Sequence, residues 1–127
     1  MADLQDAPHD AFTSALDRLR AAGAQIHVID PPVVAQAHAL SPILFAAEAY
    51  GQWQAQIEAD PDLMFAPIRD RFRGGAEFAA ADYVSAWHEL DRLRAIWGEE
   101  TAGYDAVLVP TAPILPPNAN RLLQDAD

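Results

Sequence analysis

The chain has 127 residues, 51 % of them apolar, and a net charge of −11 from 19 acidic side chains against 8 basic ones. Every basic residue is arginine, and lysine and cysteine are both absent, so disulfides, thiolate chemistry and a lysine base are excluded. A charge of that sign repels phosphate backbones, which argues against a nucleic-acid partner, and no apolar run approaches the ~18 residues of a membrane span.

Residues 1–7 are expected to form a disordered leader. The first ten residues carry three acids and no base, which rules out an ordinary signal or transit peptide and fits a cytoplasmic chain. From Pro8 to Ala22 the spacing predicts a helix, with Phe12, Ala15, Leu16 and Leu19 on one face. Gly23 stands where a helix-terminating C′ glycine belongs. Ala24 to Asp30 then reads as a strand, because Ile26 and Val28 alternate with polar Gln25 and His27 and the prolines at 31 and 32 end the run.

A longer helical region is expected over about 33–58. Ser41 is placed to cap a restart at Pro42, and Ile43, Ala46, Ala47, Tyr50, Gln54 and Ile57 lie along one side. After the turn at Asp60-Pro61-Asp62, with Asp62 as a cap, a short helix over 63–72 should kink at Pro67, and Gly74-Gly75 punctuates the chain. The strongest helical pattern covers 79–101, where Tyr83, Trp87, Leu90, Arg94 and Trp97 form a stripe widened by Ala86, Leu93 and Ile96. Tyr104 to Pro110 reads as a second strand, apolar on both faces like a central strand. A proline-rich loop follows over 111–118, and the tail from Ala119 begins a further helix. The fold class expected is therefore α/β, mostly helical with two strands. Two strands do not make an independent sheet, so the strands would belong to a larger mixed sheet and the chain would be part of a larger domain.

Several stretches together resemble the amidase signature family. Phe12 to Ala24 is similar to its F-x-x-A-L-x-x-L-x-x-A-G-A segment, followed here by Ile29-Asp30-Pro31. Glu48-Ala49-Tyr50 looks like its glutamate-containing helix. Arg71, Gly75 and Ala81-Asp82-Tyr83 resemble its R-x-x-x-G and A-x-D-Y stretches, and Tyr104 to Pro113 resembles its y-D-a-l-l-x-P-T-x-P. The resemblance covers about residues 11–118 and corresponds to the C-terminal half of such an enzyme. It implies a parent that hydrolyses carboxylic amides through a serine nucleophile, a bridging serine and a lysine base, with no cofactor. An activating base is what makes a serine hydroxyl nucleophilic, and none of that unit is present: Ser14, Ser41 and Ser85 lie in no Gly-Ser-Ser context, and there is no lysine.

The resemblance implies that Arg71 contacts a substrate carboxylate, a task suited to a bidentate fork, and that Thr111, Ala112, Pro113 and Ile114 line the acyl cleft. A rigid connector is the plainer reading of that loop. His9, His27, His38 and His88 are scattered without metal-ligand spacing, Asp60 and Asp62 read as a turn and cap, and Glu48 reads as a buried hydrogen-bonding group. Arg69 and Arg73 alternate with Asp70 as a salt-bridged surface would. The expected function is a non-catalytic segment of an amide hydrolase, partnered by the rest of the parent chain or by a second copy, with a small-molecule amide as the parent's substrate. A complete protein-interaction domain, or a piece of a glutamyl-tRNA amidotransferase A-type subunit, is the alternative.

Overall fold

The computed structural model describes residues 4–119, and every regular element among them is helical. The expected α/β class is thus corrected to an all-helical one. The helices are α1 (Asp6–Ala21), α2 (Pro32–Ala39), α3 (Ser41–Ala59), α4 (Ala66–Arg73) and α5 (Ala80–Thr101), with short 3₁₀ turns at Pro61–Leu63 and Gly74–Glu77. The chain divides into two units, one of the residues up to Asp30 together with those from Asp105 on, the other of Pro31–Tyr104. The leader reading for Met1, Ala2 and Asp3, and the tail helix beyond Ala119, lie outside the described residues.

The first unit is built on α1, which starts at Asp6, two residues before the expected start. Its end follows the glycine rule closely. Gly23 has φ +96°, the left-handed region in which a side chain is strained. From there its N–H bonds to the Arg20 carbonyl at 3.0 Å, while the N–H of Ala24 bonds to that of Leu19 at 3.0 Å. These are the two bonds of a Schellman cap, and they satisfy carbonyls that the end of a helix leaves open.

Both expected strands, over 24–30 and 104–110, have no regular secondary structure. A strand is completed only by a neighbour that takes up its alternate N–H and C=O groups. Among the described residues no backbone hydrogen bond joins one run to the other. Val28 at 87 % and Val109 at 72 % exposure are also out in solvent, although Ile26 is half-buried. The preference of such residues for strands is largely a preference for a half-buried pleated surface, and that surface is missing. A helix closes its hydrogen bonds within its own segment, which is why the helical readings survive where the strand readings do not.

In the second unit α3 is the hub, packing against α2, α4, α5 and both 3₁₀ turns, while α2 also packs on α5. Its core is narrow: Val33, Ala46, Ile57, Ala86 and Leu93 are the buried hydrophobic side chains among the described residues, with Ile57 at 1 % and Leu93 at 2 % exposure. Full burial of a side chain that size stabilises by about 1.5–3 kcal/mol, so few residues hold this unit together. The expected α3 face is recovered at Ala46 and Ile57, with Ile43, Ala47 and Tyr50 half-buried, whereas Gln54 is exposed.

Prolines set the boundaries. Pro42 lacks the N–H that would continue α2, and the chain restarts as α3 with Leu40, not Ser41, at the cap and no side-chain cap bond. Asp60, preceding Pro61, is driven to φ −150° and ψ 86°, which ends α3. Pro67 lies in the first turn of α4, where a missing N–H does no harm, so the break falls before it and no kink occurs within the helix. Asp62 caps nothing; its carboxylate lies 3.7 Å from Arg69 Nη1 instead.

Candidate functional site

The clearest convergence of polar groups in the second unit lies where α3, α5 and the Gly74–Glu77 turn meet. Tyr83, on the first turns of α5, donates its hydroxyl to Glu48 Oε1 on α3 at 2.6 Å. The two are 35 positions apart in the chain. Glu48 therefore has the hydrogen-bonding role read from the sequence, but it is exposed, not buried. On its other side the Tyr83 ring meets the edge of Trp87, with centroids 6.5 Å apart and planes at 82°. Arg94 in turn stacks over Trp87 at 5.5 Å and pairs with Asp91 at 3.1 Å.

Gly75 forms the base of this corner. A Cβ there would collide with the Ala46 carbonyl and come within 2.9 Å of Tyr50 Cβ, so only glycine lets the turn lie against α3. The result is an open cleft of about 340 Å³ lined by Ala47, Glu48, Gly75, Phe78, Ala80 and Tyr83.

The chemistry open to this corner is limited. The hydrogen bond to Glu48 is the main cause that holds the Tyr83 hydroxyl above the ordinary phenol range; Trp87 opposes it, and desolvation and the carboxylate charge add to it. At neutral pH Tyr83 is thus a protonated donor already committed to its partner, neither base nor nucleophile. Glu48 keeps Oε2 free of any protein hydrogen bond among the described residues. The corner can bind and orient; it holds no activated nucleophile.

The arginines near it are structural. Arg73 grips Glu58 with both ends of its fork, Nε to Oε1 and Nη2 to Oε2 at 2.9 Å each, tying α4 to the end of α3. That bond, chiefly, holds the Glu58 carboxyl below the usual range. Arg69 bonds to Asp70 at 2.9 Å and to the Pro61 carbonyl at 3.3 Å. Exposed pairs of this kind are screened by solvent and contribute little stability, so they fix register more than they hold the fold.

Arg71, read from the resemblance as a carboxylate ligand, is exposed on α4 of the second unit and makes no ion pair among the described residues. Thr111, Ala112, Pro113 and Ile114 are exposed in the first unit. Their loop is held by Gln5, whose N–H donates to the Pro113 carbonyl at 2.9 Å and whose Oε1 accepts from the Leu115 N–H at 3.0 Å. That use of the Gln5 side chain explains why it offers no cap bond to α1. Sequence reasoning missed the Glu48–Tyr83 pair as a unit, together with Phe78. The signal available was the occurrence of both residues inside quoted motif stretches.

Ser14, Ser41 and Ser85 are all exposed, and none is hydrogen-bonded to a histidine or carboxylate. Among the described residues no three histidine, aspartate or glutamate side chains converge as a metal site would require, and no helix is long and apolar enough to cross a membrane. No family model, curated protein or solved structure matches the chain.

Proposed function

We propose that this chain is a scaffold and substrate-pocket segment of a cytoplasmic amide hydrolase and cleaves no amide by itself. One observation carries the reading. The stretches on which the resemblance rests in the second unit, Glu48-Ala49-Tyr50, Arg71 to Gly75 and Ala81-Asp82-Tyr83, come together in space: Tyr83 bonds to Glu48, and Gly75 lies on Ala46 and Tyr50. The inactivity follows from chemistry, since a hydroxyl needs a base to become a nucleophile and each serine here stands alone.

On this reading the rest of the parent chain covers the exposed apolar side chains, Leu63 at 85 % exposure among them, with a second copy of the chain as the other candidate. The test is to sequence outward from the coding region and assay the whole product for ammonia release from small carboxamides beside the 127-residue chain. The expected result is an upstream Gly-Ser-Ser signature and lysine, turnover by the whole product, and background rates for the chain alone. Turnover by the chain that is lost on replacing one of its own serines refutes the proposal, and so does a reading frame without the signature.

A further inference from the structure

We propose that the cleft between α3 and α5 is a binding site for a primary ammonium carried on a short apolar or aromatic stem, with Glu48 as its counter-ion. The inference goes beyond the amide-hydrolase reading and does not depend on it. It starts from how Glu48 is held. Glu58, Glu89 and Asp91 are each paired with an arginine of this chain. Glu48 is held by a neutral phenol, while Arg94, beyond the Trp87 ring, is engaged with Trp87 and Asp91. Glu48 thus lines the cleft with no arginine of this chain bonded to it among the described residues, as is also true of Glu77 and Asp82 nearby.

The geometry then selects the ligand. An ionised carboxylate only accepts hydrogen bonds. Oε1 is taken by Tyr83, which also fixes the orientation of the group, and Oε2 is left to accept from whatever enters. A ligand must donate there, and a cationic donor makes the shorter and stronger bond. The other walls are the side chains of Ala47, Phe78 and Ala80 and the bare backbone of Gly75, which suit a short apolar stem and offer an aromatic ring to a cation. A volume of about 340 Å³ is at the small end of ligand sites and admits a small amine. The net charge of −11 concentrates cations at the surface and repels carboxylates.

Free amines and protein lysine side chains share this chemistry, so the test has two arms. The ¹⁵N-labelled chain is titrated with benzylammonium in one and with Nα-acetyl-lysine N-methylamide in the other, with phenylacetate as the anionic control. Saturable amide shifts at Gly75, Phe78 and Ala80 are expected in the millimolar range with at least one amine, and the tighter arm identifies the source. Glu48→Gln keeps the shape and the bond from Tyr83 but removes the charge, and should weaken binding at least tenfold. Tyr83→Phe should weaken it no more than a few-fold, because Tyr83 orients the carboxylate and does not meet the ammonium. Absence of saturable shifts with both amines overturns the proposal, as does equal binding by Glu48→Gln or equal binding of phenylacetate.

Discussion

A Gly75→Ala substitution sets one methyl group against the backbone of α3. The neighbours it meets are the carbonyl of Ala46, which is held in a helix, and the first side-chain carbon of Tyr50 at 2.9 Å. Neither can swing aside as the end of a long side chain can, so the 3₁₀ turn itself has to withdraw. Overpacking of a tight contact costs about 1–3 kcal/mol, and a rigid neighbour puts this site near the top of that range, about 3 kcal/mol. A small unit with so narrow a core has a total stability on the order of 5 kcal/mol, so more than half is lost. Trp53, Trp87 and Trp97 all lie within Pro31–Tyr104, and tryptophan fluorescence in urea therefore reports this unit alone. With a urea slope of about 1 kcal/mol/M, the midpoint should fall by about 3 M. The control is the adjacent glycine. Gly74 has φ −56°, ordinary for any residue, and nothing within 4 Å of where its Cβ would stand. Gly74→Ala should leave stability within about 0.5 kcal/mol or raise it slightly, through a less flexible unfolded chain. A Gly75→Ala midpoint within about 0.5 M of the parent, or equal damage from both substitutions, refutes the packing argument.

In the first unit, Gly23→Ala forces a side chain into the left-handed region at φ +96°. The expected penalty is about 1–2 kcal/mol, read as a loss of roughly tenfold in hydrogen-exchange protection of the last turn of α1, with α5 unaffected. The Glu58–Arg73 pair predicts an acid-side effect. The folded carboxyl titrates below its ordinary value of 4.5 because Arg73 bonds it, so its contribution is present above that value and is lost as pH falls through the lowered one. Glu58→Gln should therefore narrow the stability difference between pH 7 and pH 3, measured by urea midpoints at each pH; an unchanged difference removes the pair from the acid response.

The helical content was readable because helices carry their own evidence. The face through Ala46 and Ile57 follows from spacing alone and is buried, whereas on α5 the buried side chains are Ala86 and Leu93 at the margin of the expected stripe, with Tyr83, Trp87, Leu90 and Trp97 half-buried and Arg94 exposed. Gly23 was readable because one residue type answers one backbone need. Ala24–Asp30 and Tyr104–Pro110 failed for the opposite reason. Their pattern records what the side chains favour, while a strand depends on a partner elsewhere. The capping readings at Ser41 and Asp62 failed because a hydroxyl or carboxylate near a helix start competes with proline geometry and with Arg69 for its role. Pairing across 35 residues, as between Glu48 and Tyr83, leaves no periodic trace at all.

The same contrast bears on what the corner at Glu48 can be. Catalytic carboxylates and phenols are tuned so that a proton can leave or arrive near neutral pH. Here the phenol is shifted the other way, held more firmly protonated by the carboxylate it bonds. Glu58, Asp70 and Glu89 are tied down in arginine pairs that fix one helix against the next or one turn along itself. An arrangement that locks its proton in place at the lip of a small open cleft has the properties of a joint. Any amide chemistry carried out beside it has to draw its base and its nucleophile from other residues.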